Sequence, residues 1–185
     1  MKRPRIAVLV VMASFMFVPA CIAGEKQAEA VTGPVNRVDI SEFLSTSGQP
    51  AEGFFGELAD EGFEMVINLA PPQSHGSLQD EGGLVAGRGL IYVNIPVDWD
   101  HPDPALFEFF GKLLRDNPTR KTLVHCQVGF RASTFTFLYR VIYQKLSADD
   151  ALEAVHQVWV PNDTWSAFAN KVLADNGSDF ELPVD

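Results

Sequence analysis

The stretch Lys121-Thr122-Leu123-Val124-His125-Cys126-Gln127-Val128-Gly129-Phe130-Arg131-Ala132-Ser133-Thr134 constrains this chain more than any other. It reads as a short apolar strand ending at a cysteine, a tight loop with one glycine, and an arginine where a long apolar helix begins. A thiol, several backbone N–H groups, a helix N-terminus and a guanidinium then share one small volume. Such a volume suits an oxyanion, because the amides and the helix dipole present partial positive charge there. The same surroundings lower a thiol's pKa from its ordinary value of about 8.5, and the thiolate is the nucleophile. Gly129 allows a backbone angle or a close approach that a β-carbon would hinder. Arg131 offers a planar fork of donors matched to two oxygens, which lysine does not.

The chain begins differently. Lys2, Arg3 and Arg5 precede an almost wholly apolar run over 6–18, followed by Pro19-Ala20-Cys21-Ile22-Ala23-Gly24. A charged start, a short apolar core and small residues at a cleavage point predict a secretory signal over 1–23, and hence export, to the periplasm in a bacterium. The run is shorter than the roughly 18 residues of a membrane span, so no stable span is expected. The alternative is lipid attachment at Cys21 and a membrane-anchored protein. Residues 24–34 read as a flexible tether. About 160 residues remain, enough for one domain with its own core, here 35–175, before an acidic tail over 176–185 expected to fray. Loss of the leader takes the formal net charge from -10 to about -13. That excludes a broad phosphate-tracking surface, so no nucleic-acid partner is expected, while a local anion site remains open. Cleavage after Ala23 leaves Cys126 as the one cysteine, and no internal disulfide is expected.

Apolar patterning predicts strands over 35–40, 63–69, 90–97 and 121–124. Residues 45–50 read as a turn, with Pro50 in the first turn of a helix that reaches about 60 and ends at Gly62. Residues 70–89 read as mostly loop, with a short helix near 78–86. Asp103 caps and Pro104 opens a helix to about 115, with Leu106, Phe109, Phe110, Leu113 and Leu114 as its apolar stripe. A buried helix follows over 131–145. Another starts at Ser147, with Asp150 as its capping-box acid, and is broken at Pro161. Trp165, Phe168, Val172 and Leu173 mark the last. Alternating strands and helices predict a single α/β layered domain with a central, mostly parallel sheet of four or five strands flanked by helices. Ligands of such sheets lie beyond the C-terminal strand ends. Asp98 and Cys126 both follow strand ends, and so are expected to face one crevice.

The segment His125-Cys126-Gln127-Val128-Gly129-Phe130-Arg131 resembles the signature loop of the cysteine-dependent protein tyrosine and dual-specificity phosphatases. Ile40-Ser41, Ser47-Gly48-Gln49-Pro50 and Val66-Ile67-Asn68-Leu69 add a resemblance to a smaller bacterial phosphatase-like family, related to a domain attached to β-lactamase-like hydrolases. The resemblance covers about 35–173 and implies a dual-specificity-phosphatase-like fold. It departs from the usual pattern in two places. Four residues rather than five separate Cys126 from Arg131, a spacing shared with rhodanese-type sulfurtransferases, and Ala132 stands between Arg131 and Ser133.

The resemblance implies hydrolysis of phosphomonoesters through a phosphocysteine, on a phosphorylated protein such as a phosphotyrosine protein or on a small aryl phosphate, with no cofactor and no metal. Cys126 is then the nucleophile. The loop Gln127, Val128, Gly129, Phe130 and Arg131 binds phosphate, and an aspartate from another loop protonates the leaving oxygen. Asp100 and Asp98 are both candidates for that acid, and Asp103 reads as a cap. His125 either orients the loop and tunes the cysteine, or is a core histidine paired with a carbonyl. Ser133 either donates to the sulfur or belongs to the start of its helix. Trp99 reads as a hinge, a wall for an aromatic substrate, or ordinary packing. His75, His101 and His156 have no metal-ligand spacing. Arg37 and Arg88 either supplement the anion site or sit on the surface. Sulfur transfer through a persulfide on Cys126, and a catalytically weak phosphate-binding module, are the alternative functions.

Overall fold

The computed structural model describes residues 33–184, so the leader and most of the tether lie outside it. Five strands form one sheet in the order β1-β2-β5-β3-β4. They are β1 (Val38–Ser41), β2 (Leu44–Ser47), β3 (Met65–Asn68), β4 (Ile91–Asn94) and β5 (Thr122–His125). Only β1 runs antiparallel to its neighbour; β2, β5, β3 and β4 are parallel. The expected mostly parallel α/β layered fold is therefore observed. Six helices accompany the sheet among the described residues: α1 (Phe54–Asp60), α2 (Glu81–Ala86), α3 (Pro104–Asp116), α4 (Phe130–Ile142), α5 (Ala148–His156) and α6 (Asp163–Asp175).

Strand periodicity sorts the core into two parts, because successive side chains leave a strand on opposite faces. Val66 and Leu123 face α1 and α2, where Phe54, Phe55, Leu58, Phe63, Val85 and Leu90 close over them. Ile67 and Val124 face the larger, aromatic-rich cluster built by α3 to α6. Helix α4 runs through that cluster, and every residue from Arg131 to Tyr139 is buried. In register, Ser47, His125, Asn68 and Asn94 form one row across the C-terminal ends of the parallel strands. That polar row marks the strand ends beyond which the crevice is expected.

Several boundaries differ from the sequence reading for local reasons. Residues Ser45, Thr46 and Ser47 belong to buried strand β2, not to a turn. Two of the three hydroxyls are satisfied locally, Ser45 donating to Asp39 at 2.8 Å and Ser47 to the Gly48 carbonyl at 2.8 Å, while Thr46 Oγ1 is buried with no hydrogen-bond partner among the described residues. The strand is buried on both faces with its serine hydroxyls paired. Helix α1 begins at Phe54, after a turn over 51–53, rather than at Pro50. Asp103 caps α3 as expected, accepting from the Ala105 N–H at 2.8 Å with Pro104 in the first turn. The inward face of α3 carries Phe107 and Phe110, while Phe109 is 53% exposed. Ser147 caps α5, its hydroxyl oxygen accepting from the Asp150 N–H while its O–H donates to the Asp150 carboxylate. Leu182 is buried in the core, and its backbone N–H and carbonyl both pair with the side-chain amide of Asn170.

Candidate active site

Cys126 follows β5 directly, and the chain turns at once into α4. The turn closes at Gly129, whose φ of +92° lies in the left-handed region that favours glycine. The Gly129 N–H donates to Cys126 Sγ at 3.2 Å. The cysteine itself is fully buried, and its N–H donates to the Ser47 carbonyl at 3.3 Å. Sulfur, an inward amide and a helix N-terminus are therefore brought together as the spacing predicts.

Arg131 is 6% exposed, yet its Nε has no hydrogen-bond partner and no carboxylate pairs with it among the described residues. Its guanidinium lies 5.2 Å from the centre of the Trp99 ring. The two residues, with Gln127, Val128 and Phe130, line a pocket of about 270 Å³. Trp99 belongs to an aromatic wall. It packs against Phe130, Trp159 and Trp165, its carbonyl accepts from Trp165 Nε1 at 3.1 Å, and Phe130 stacks flat on Trp159 at 4.5 Å. Trp99 is thus a wall of the pocket and also anchors the loop that carries the aspartates. A larger cavity of about 630 Å³ between α5, α6 and the final segment includes none of the candidate residues.

The two candidate acids differ. One carboxylate oxygen of Asp98 accepts from the backbone N–H groups of Asp100 at 2.9 Å and His101 at 2.8 Å. These bonds, the His101 amide first, favour the ionised form and hold Asp98 below the usual carboxylate range. Asp98 is committed to shaping its loop, and His101 beside it is solvent-exposed. Asp100 is exposed and accepts no hydrogen bond from the described residues.

His125 faces away from the pocket. Its Nε2 lies 2.8 Å from Glu81 Oε1, but the N–H is not aligned on that oxygen, so both ring nitrogens lack a well-directed partner. The backbone-carbonyl pairing considered from sequence is absent from the described contacts. Glu81 is 5% exposed and also accepts from Gln49 Nε2 at 3.2 Å and Asn68 Nδ2 at 2.9 Å. Asn68 reaches Tyr92 at 3.3 Å, and burial followed by the Glu81 charge pushes the Tyr92 hydroxyl above its ordinary pKa. This buried carboxylate network beneath the nucleophile was not legible in the sequence. An acid followed by two glycines in a short helix amid loop carries no sign of burial, and only the packing of α2 against the strand ends buries it.

Ser133 does not reach the sulfur; its hydroxyl donates to the Phe130 carbonyl at 3.0 Å, in the first turn of α4. Arg37 pairs with Glu61 and Asp39 and lies over the Phe54 and Phe63 rings, away from the pocket. Arg88, His75 and His156 are exposed. No cluster of three metal-ligating side chains occurs among the described residues, and no helix there is long and apolar enough to cross a membrane.

A parallel sheet with a buried cysteine at its central strand end, a glycine turn and a helix-opening arginine has the architecture of the cysteine-based tyrosine and dual-specificity phosphatases. The solved structures bear this out. The chain shares that fold with the catalytic domain of the PP-IP phosphatase SIW14 from S. cerevisiae, at 14% identity and a TM-score of 0.64 over 80% of this chain and 96% of that one. A DUF442 protein from Shewanella putrefaciens CN-32, itself a proposed phosphatase, is 32% identical, with a TM-score of 0.72 over 78% of this chain and 95% of that one. The chain belongs to the family of that DUF442 protein. It is also 32% identical over 117 residues, 61% of its length, to a "Beta-lactamase hydrolase-like protein" of Xylella fastidiosa strain Temecula1. The chain spans about a quarter of the length of the curated relatives it matches, the aligned part being 27% of that protein. No family model matches the chain.

Proposed function

We propose that this protein hydrolyses phosphomonoesters through a phosphocysteine on Cys126. One observation carries the reading: Arg131 is a buried cation with no anionic partner among the described residues, in the same loop as a sulfur that already accepts a loop amide. A buried unpaired charge is costly in a folded protein unless a ligand supplies the counter-charge. A phosphoryl group fits, since it offers two oxygens to the guanidinium fork and others to the loop amides.

The chemistry follows from the positions. Cys126 Sγ attacks phosphorus, forming the S–P bond as the P–O bond to the alcohol breaks. Arg131 and the loop amides of Gln127, Val128, Gly129 and Phe130 take the charge on the equatorial oxygens. The leaving oxygen takes a proton from Asp100, which then accepts one from the water that cleaves the S–P bond. Asp98 is the weaker candidate for that role, because two backbone amides stabilise its ionised form. His125, beside Glu81, supports the strand end under the nucleophile rather than exchanging protons with substrate.

The pocket walls are apolar and aromatic, with Arg131 as the cation among its lining residues. That favours an aryl phosphate or the phosphotyrosine of a protein over a polyanion. The apolar start of the chain supports an exported, periplasmic site of action, with lipid attachment at Cys21 as the alternative. The 117-residue match extends the reading to a phosphatase-like part within the longer β-lactamase hydrolase-like proteins.

Acid quenching during turnover of an aryl phosphate, followed by mass spectrometry, tests the proposal. An adduct of about 80 Da on Cys126 with release of the phenol is expected. An adduct of about 32 Da after thiosulfate, with no phosphate turnover, would assign sulfur transfer instead.

A further inference from the structure

The inward amides of the 126–131 loop have a counterpart, since its carbonyls must find partners elsewhere. The Gln127 carbonyl accepts from the Gln49 backbone N–H at 3.1 Å. The Val128 carbonyl accepts from the side chain of Asn36, Nδ2 donating at 2.8 Å across 92 positions of sequence. Asn36 has a φ of +55°, a conformation that asparagine tolerates better than most residues. Its neighbour Val35 accepts from the Gly48 N–H at 2.7 Å, which fastens this short segment to the end of β2. Glycines make the approach feasible. A β-carbon at Gly48 would lie 2.5 Å from Val35 Cγ1 and 3.1 Å from Val128 Cα, and one at Gly129 would lie 3.3 Å from Asn36 Cβ.

The peptide joining Val128 to Gly129 is thus held at both ends, its oxygen by Asn36 and its N–H by Cys126 Sγ at 3.2 Å. A half-turn of this peptide would carry Gly129 from positive to negative φ, which glycine adopts as readily. The flipped peptide would point a carbonyl dipole at the sulfur and repel an anion. Local backbone preference does not select between the two orientations. We propose that Asn36 is a positioning residue that does, holding the Val128 carbonyl outward so that the Gly129 N–H faces the sulfur and a bound oxyanion. The assignment rests on the reading of 126–131 as an oxyanion-binding loop.

Two substitutions test it. Asn36→Gly keeps the positive φ without strain and removes the amide. Asn36→Asp keeps the shape but sets a second acceptor against the Val128 carbonyl. Inorganic phosphate titrated by calorimetry is the probe. Val128-Gly129 is the only Val-Gly pair in the sequence, so carbonyl-13C valine with 15N glycine isolates the Gly129 amide resonance. The expected result for Asn36→Gly is phosphate binding weakened about tenfold and a shifted Gly129 resonance, with Tm within about 2 °C of wild type. Asn36→Asp is expected to lose at least as much affinity. Wild-type affinity with an unmoved Gly129 resonance in Asn36→Gly overturns the proposal. So does a fall in Tm with the affinity of the folded protein unchanged, since that is a purely structural role. If the wild type binds no phosphate, the hydrolase reading fails, and the Gly129 resonance alone decides the role of Asn36.

Discussion

The two loops that meet at the pocket are built on opposite principles. The loop over 126–131 is fastened from beneath and from outside. Cys126 is buried, the Gln127 and Val128 carbonyls are both held, and α4 extends it directly into the core. The loop over 98–103 is exposed, shaped by bonds of Asp98 to its own backbone and attached to the domain through Trp99. A nucleophile and an oxyanion site need fixed geometry, because a small misplacement costs much of the rate. A proton donor needs access to both the leaving group and water, so a tethered, solvent-facing loop serves it. The difference shows that precision is concentrated where charge develops.

The comparison can be broken by substitution, and the largest effect is expected at the sulfur. Cys126→Ser should reduce turnover of an aryl phosphate by at least about a thousandfold, with phosphate binding retained in calorimetry. Persisting turnover would place the nucleophile elsewhere. Arg131→Lys should lower kcat/KM by about a hundredfold, since a point charge replaces the fork. Steady-state kinetics within a few-fold of wild type would remove Arg131 from phosphate binding.

On the exposed side, Asp100→Asn should slow hydrolysis about a hundredfold for alkyl or unactivated phenyl esters and far less for a nitrophenyl ester. A loss independent of the leaving group would exclude Asp100 as the acid. Asp98→Asn keeps an acceptor for the two loop amides and should change the rates only slightly. The depressed Asp98 pKa also has a pH consequence. Its contribution to loop order is present above the ordinary aspartate pKa and is lost as pH falls through the lower folded value. Protection of the Asp100 and His101 amides, taken relative to their intrinsic exchange rates, should therefore persist down to the ordinary aspartate pKa and be lost only as pH falls below it; protection already lost near neutrality would refute this.

Beneath the rigid loop, Glu81→Ala leaves His125, Asn68 and Gln49 facing a void. It should destabilise the domain by about 3 kcal/mol in urea unfolding. A cost below about 1 kcal/mol would mean that water replaces the carboxylate without loss.

Much of this site was legible from local pattern. Cysteine, glycine and arginine at that spacing, after an apolar strand and before an apolar helix, mark the loop without any knowledge of the fold. Asp103-Pro104 and Ser147 announced their helices, because a cap is a bond between near neighbours in sequence. Strand β2 was missed because Ser45, Thr46 and Ser47 carry no apolar period. They are buried through pairing with β5, and the hydroxyls of Ser45 and Ser47 bond to nearby acceptors. The expected stripe of α3 included Phe109 and omitted Phe107, and the structure buries Phe107 instead. Both fit a broad stripe on α3, and the position of α4 decided which of them faces inward.

Local pattern was enough to specify the chemistry available here: a thiol in a turn, an arginine opening a helix, several aspartates after a strand, and an α/β alternation to hold them. Local bonds and periodicity encode such features, so they can be read from neighbours alone. Only the tertiary structure decided that Glu81 is buried beneath the nucleophile, that Asn36 holds the Val128 carbonyl, that Ser133 turns from the sulfur and that Leu182 docks the final segment. Those outcomes depend on which distant surfaces the packed core brings into contact, and no residue carries a record of its partner 92 positions away.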